Sequence, residues 1–285
     1  MKQKQKIIFL LFPSLFFLFG FFLFPVMFAF YLSFFNVDTL TLKKEFIGLA
    51  NYLELLTDPK FYFALKNSFI YGCVSTIIEV GLGIGIALIL NERLKGISII
   101  RGISIFPYVI PIVVSVVLWR WMLDVSFGII NWLTELVGFQ PIPWLGGPLA
   151  MVTLVIVSVW IFTPFIIVTT LAALQQIPES LYDAAKIDGT NALQRFYYIT
   201  LPQLREVMSA AIIIRWIWMF NKFDVPYALW GVGGSGIFIT NLPIYAYITT
   251  YNYYRAGYGN AICVIMTMIL VASIAILLTF FKQRG

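Results

Sequence analysis

Six long apolar runs, at roughly 7–34, 65–90, 102–122, 149–174, 207–230 and 260–281, alternate with short polar stretches along the chain. Each run reaches about the twenty residues needed to cross the hydrocarbon of a bilayer. The runs are continuous, without the in-out alternation of a barrel strand, so the pattern predicts six transmembrane helices. The first run is much longer than the apolar core of a signal peptide and has no small-residue cleavage site after it, which predicts a retained anchor. In the loop at 35–62, "GLANYLELLTD" predicts a short amphipathic helix.

One polar stretch is too long for a connector. Residues 175–204 separate the fourth and fifth runs, where about 2–8 residues suffice between packed helices. Pro178 suits a first helical turn. Glu179 and Asp183 complement the N-terminal end of a helix dipole. Leu181, Ala184 and Ala185 form a small apolar stripe at helical spacing. Gly189 fits a left-handed position past the helix end, with Asp188 bracing the turn and Thr190 capping a second helix. That second helix would carry Leu193, Phe196 and Tyr197 on one face and stop by Pro202. The expectation is a helix, a glycine turn and a helix, outside the bilayer, with an apolar stripe framed by charge that fits a partner chain.

Composition fits a membrane chain: 61% of the 285 residues are hydrophobic, 11% are charged, and the mean hydropathy is +0.91. The net charge of +6 would suit nucleic acid, but its distribution follows the membrane instead. Eleven basic residues fall on the side of the termini and of residues 175–204, and five on the other side. By the positive-inside rule both termini and the polar stretch are cytoplasmic. Trp121, Trp132, Trp144 and Trp230 then fall near the outer ends of spans, where indoles anchor at the interface. Histidine is absent, which removes the commonest general base and metal ligand. Cys73 and Cys263 lie in apolar runs and predict buried structural thiols. No nucleophile–base set or metal cluster is legible, so the chain is not expected to be an enzyme, and no cofactor is expected on it. No GxxxxGK[ST] phosphate loop occurs, so ATP and Mg would have to be bound by another chain. The glycines of "GLGIG" at 81–85 predict close helix packing.

The segment "DAAKIDGTNALQRFYYITLP" resembles the EAA loop of ABC importer permeases. Asp183, Ala184, Ala185 and Gly189 occupy its pattern positions, Asp183 standing where the family has glutamate. "VSVVLWRWMLDVSFGIINWL", "PWLGGPLAMVTLVIVSVWIFTPF" and "IRWIWMFNKFDVPYALWGVGGSG" resemble the carbohydrate-uptake branch, the MalF and UgpA type. The resemblance implies an all-α polytopic membrane fold with 1–285 as one transmembrane domain. It implies that Glu179, Asp183, Ala184, Ala185, Asp188 and Gly189 form a coupling helix that enters a cleft of the ATP-binding subunit. It also implies a second, MalG-like permease, two ATP-binding subunits, an extracytoplasmic solute-binding protein and a sugar-like solute.

Sugars are bound by flat apolar faces together with hydrogen-bonding side chains. Trp160, Thr163 and Phe165 in the fourth run and Trp218, Asn221 and Lys222 in the fifth offer both. The matching segments line the sugar site in the maltose permease that the chain resembles. Lys222 and Asp224 read first as interface charges near the outer surface and second as direct ligands. Glu79 and Arg215 lie deep within apolar runs, where lone charges cost about 2.5–3.5 kcal/mol, so mutual pairing is expected. An ion-coupled secondary transporter of a small polar solute is the alternative of a different class; its usual chain of intramembrane acids is reduced here to Glu79 alone.

Overall fold

The computed structural model describes residues 3–41, 43–92, 95–231 and 236–282, with side chains from Leu10 onward. The glycine-rich part of "WGVGGSG" at 232–235 lies outside the described residues, as do Lys2, Arg93, Arg284 and the side chains of Lys4 and Lys6.

In chain order, the first run forms α1 (Gln3–Phe17), a π-helical stretch (Leu18–Leu23) and α2 (Phe24–Leu32). A two-stranded ribbon, β1 (Phe35–Val37) against β2 (Lys44–Phe46), then leads to α3 (Ala50–Thr57). The next helices are α4 (Pro59–Leu90), α5 (Ile97–Val109), α6 (Ile112–Met122), α7 (Ile129–Leu136) and α8 (Leu149–Leu174). The polar stretch contains α9 (Glu179–Ile187) and α10 (Ala192–Arg195), which runs through a second π-helical stretch (Phe196–Thr200) into α11 (Leu201–Phe220). The chain closes with α12 (Asp224–Leu229), α13 (Gly236–Ile239), α14 (Leu242–Tyr251) and α15 (Ala256–Lys282).

Both π-helical stretches precede a proline. Phe24 N–H donates to Phe19 O and Leu201 N–H donates to Phe196 O, five residues back rather than four. Pro25 and Pro202 follow directly. A proline ring clashes with the carbonyl four residues back. Widening the preceding turn by one residue moves that carbonyl aside, so the rod continues. The second helix of the polar stretch therefore does not stop by Pro202.

Four described helices are long and apolar enough to span: Leu10–Leu32, Pro59–Leu90, Leu149–Leu174 and Ala256–Lys282. A fifth candidate is the pair α5–α6, bent by 97°. The expected straight span at 102–122 is thus broken. Ile110 precedes Pro111 and is extended (φ −72°, ψ 134°), because a following proline disfavours helical backbone. The run at 207–230 is also not one helix, since α11 ends at Phe220 and α12 begins at Asp224.

The chain divides into two compact units. Residues 65–241 and 273–285 form the larger one. In it, Ala87, Leu90, Ile166, Leu174, Leu204 and Met208 make one core cluster across α4, α8 and α11. Of the "GLGIG" glycines, only Gly83 meets a neighbouring helix; a Cβ there would lie 2.4 Å from Ile166 Cγ2. A Cβ at Gly72 would lie 2.9 Å from the Trp216 ring, whose Nε1 donates to Ser273 Oγ at 2.7 Å. One residue on, about 100° around α4, Cys73 is exposed rather than buried; Cys263 is half-buried, and both thiols are free.

The smaller unit, residues 1–64 and 242–272, packs the ribbon and α3 against the start of α15. Asn51 donates to Ser33 O at 2.8 Å and Phe35 O at 3.0 Å. Glu54 takes Arg255 as a bidentate pair at 2.7 and 2.6 Å. The Asp58 carboxylate accepts hydrogen bonds from the Tyr245 and Tyr258 hydroxyls. Burial pushes the Asp58 carboxyl up, but those two hydroxyls and the amides of Lys60 and Phe61 outweigh it and hold the pKa below the ordinary 3.8.

Candidate coupling segment and solute-facing helices

Helix α9 begins at Glu179, with extended Pro178 (φ −59°, ψ 131°) as its N-cap and Glu179 in its first turn. It ends at Ile187 with Asp188 as its C-cap, after which Gly189 adopts φ +74°, a left-handed conformation that side chains with a Cβ resist. Thr190 does not cap the next helix. Its hydroxyl turns back and donates to Ala185 O at 2.7 Å. The N-cap is Asn191, which accepts from Gln194 N–H at 2.9 Å while Gln194 Oε1 accepts from Asn191 N–H at 2.8 Å. This is a capping box, and the N-x-x-Q spacing was its signal in the sequence. Arg195 Nη1 donates to Thr190 O. Among the described residues, the side-chain bonds across this turn come from Thr190 and Arg195, not from the Asp188 carboxylate.

The apolar stripe divides. Leu181 and Ala184 face outward, whereas Ala185 is buried. Tyr182 packs on the core cluster of Leu174, Ile177 and Leu204, and its hydroxyl lies 2.9 Å from Thr200 Oγ1. The inner face of α9 is thereby fixed to the ends of α8 and α11. Its outer face carries Leu181, Ala184 and Ile187, the last 87% exposed, together with the Asp183–Lys186 pair at 3.0 Å. Pattern alone did not assign Tyr182 and Thr200, because a hydroxyl pair eighteen residues apart leaves no periodic trace.

The candidate solute residues fall on two faces of α8. At 100° per residue, Trp160 and Thr163 point to one side and Phe162 and Phe165 to the other. On the second side the Phe165 and Trp218 rings meet with centroids 5.3 Å apart. Arg215 lies over the Phe162 ring at 4.8 Å, and Lys222 lies over the same ring at 4.3 Å. Lys222 also pairs with Asp224 at 3.1 Å. Trp218 and Asn221 are exposed next to this cluster. Phe162, flanked by two cations, was not singled out from the sequence, where it is one more apolar position in a buried run. Below it, Arg215 reaches Glu79, with Nε 2.8 Å and Nη2 2.7 Å from Oε2. On the first side, Trp160 and Thr163 line a separate cavity. The indoles of Trp144 and Trp230, two of the expected interfacial anchors, donate to Asn131 Oδ1 at 3.1 Å and Thr240 Oγ1 at 3.2 Å. Trp121 and Trp132 remain exposed.

Long apolar helices with a polar glycine turn between α8 and α11 fit a membrane permease, and the family model for the binding-protein-dependent transport system inner membrane component matches residues 79–284. The chain belongs to that family. It is 40% identical to the trehalose/maltose transport system permease protein MalF of Thermococcus litoralis, over 90% of this chain and 86% of that one. It is 31% identical to the sulfoquinovosyl glycerol transport system permease protein SmoG of Agrobacterium fabrum, over 92% of this chain and 85% of that one. The fold matches a chain of a bacterial ABC transporter involved in the import of the acidic polysaccharide alginate, with a TM-score of 0.87 at 20% identity, over 99% of this chain and 96% of that one.

Proposed function

We propose that the chain forms one half of the membrane pathway of an ATP-driven importer for a carbohydrate. Its companions are a second, MalG-like permease, two ATP-binding subunits that hold ATP and Mg, and an extracytoplasmic solute-binding protein. Both termini and α9 face the cytoplasm, in keeping with the basic residues on that side. The carbohydrate assignment is supported by the solutes named for the relatives and by the aromatic pair Phe165–Trp218 beside Asn221 and Lys222.

The observation that carries the coupling role is the anchoring of α9. Its outer face offers Leu181, Ala184 and Ile187 to a partner, and its inner face is tied through Ala185 and Tyr182 to α8 and α11. A force on α9 therefore reaches the two helices that carry Phe165 and Trp218. ATP binding and hydrolysis in the partner subunits would bias the pathway between inward- and outward-facing states by that route.

The test is uptake of labelled trehalose or maltose by the reconstituted complex. Uptake that requires ATP and stops with vanadate is expected. Uptake driven by an ion gradient without ATP would instead make the chain an ion-coupled transporter. For orientation, an extracytoplasm-only reporter fused after Asp124 should be active and one fused after Asn191 silent; the reverse result inverts the topology.

A further inference from the structure

The cavity lined by Trp160 and Thr163 measures about 530 Å³ and lies in the elbow of the bent pair α5–α6, against α4 and α8. Leu82, Ile86, Ile103, Ser104, Trp119 and Trp160 make its principal walls. The Trp119 and Trp160 rings meet edge-to-face at 5.7 Å. Among the described residues no charged side chain lines it; its hydroxyls are those of Ser104, engaged with Ile100 O at 2.8 Å, and Thr163. A solute with many hydroxyls would give up its water here for few replacement partners, chiefly the Thr163 hydroxyl, which is buried without a partner. A hydrocarbon loses nothing and gains contact with the two indoles.

The lining itself shows where such an occupant enters. Leu82, Ile103 and Ile156 are 49, 67 and 45% exposed, so the cavity opens along an apolar surface of a membrane-embedded chain. In a bilayer, lipid tails are the apolar liquid that can reach such an opening. A cation also stands at one end. Arg101 Nε and Nη2 donate to Leu90 O at 3.2 and 2.7 Å. Leu90 is four residues past Ile86, about 6 Å along α4. Holding that carbonyl uses two of the five guanidinium N–H donors and leaves the rest to a phosphate, for which the planar fork is well shaped.

We infer that this elbow is a phospholipid site, with one acyl chain in the cavity and the phosphate at Arg101. The acyl chain packs on Trp160, on the opposite side of α8 from Phe162. The lipid thus fills the angle left by the break at Pro111 and props the helix that joins the coupling segment to the solute-facing rings.

The assembled importer in nanodiscs of phosphatidylglycerol and phosphatidylcholine provides the test. Cryo-electron microscopy of the wild type should show elongated density between Trp119 and Trp160 that ends in a head group near Arg101. Mass spectrometry after detergent exchange should find at least one retained phospholipid per chain, and several-fold less in Ser104→Phe, which fills the cavity, and in Arg101→Gln. A side chain of the second permease in the cavity, solute density there, or equal lipid retention by wild type and both variants overturns the assignment. If neither variant assembles, the wild-type density decides it.

Discussion

Arg215 lies on Glu79 with Nη2 2.7 Å from Oε2, and the two side chains are 1 and 0% exposed. The pair joins α11 to α4 in the interior, where neither charge has water to fall back on. Removing one member of such a pair costs about 3–5 kcal/mol because the other is left buried and uncompensated. Glu79→Gln and Arg215→Met should each sharply lower the yield of assembled complex. The double variant should recover part of that loss, which a double-mutant cycle on thermal stability in detergent measures. Strictly additive losses would show that the contact contributes nothing to stability.

Gly189 sets the exit angle of α9. Its φ of +74° costs a β-branched residue about 1–2 kcal/mol. Gly189→Val should insert normally in the membrane yet re-aim the outward face of Leu181, Ala184 and Ile187. ATPase co-purification and solute-stimulated ATP hydrolysis should fall together, with uptake following them. Normal retention of the ATPase alongside normal uptake would exclude a coupling role for the segment.

The Phe165–Trp218 ring pair predicts a solute-binding defect without an assembly defect. Aromatic contacts contribute about 0.5–1.5 kcal/mol beyond burial. Trp218→Ala should raise the uptake KM several-fold, while the complex elutes intact with its ATPase. An unchanged KM in both Trp218→Ala and Asn221→Ala would remove this face from the solute route.

The smaller unit should loosen in acid. The folded Asp58 carboxyl has a pKa below its ordinary value of 3.8, and Glu54, bonded to Arg255, is likewise lowered. A carboxyl that holds its proton less tightly when folded stabilises the fold above its unfolded pKa, and that contribution is lost as pH falls through the folded value. The melting temperature in detergent should therefore drop below about pH 4. Asp58→Asn should melt lower at neutral pH and show a shallower acid limb, and Asp58→Asn with Glu54→Gln a shallower one still. An acid limb as steep as that of the wild type in the double variant would place the acid sensitivity elsewhere.

The sequence by itself determined the solvent and the local chemistry. Uninterrupted apolar runs can only be helices in lipid, because every backbone donor must be satisfied within its own segment. The start of α9, the left-handed Gly189 and the short helix α3 were legible because caps, dipoles and glycine act over one turn. What it could not determine depends on contacts between distant segments. Where Cys73 points follows from which face of α4 the Gly72–Trp216 packing consumes. Ala185 turned inward because Tyr182 and Thr200 lock α9 to α11, and Pro202 failed to end a helix because a π turn absorbed its ring. Trp160 and Phe165 have the same aromatic chemistry in the sequence. The rotation of α8 between the Phe162 cluster and the elbow at Pro111 sent one to the Trp218 face and the other to a separate cavity. A single sequence carries little signal for that rotation, since a helix apolar nearly all round has no polar face to mark its orientation.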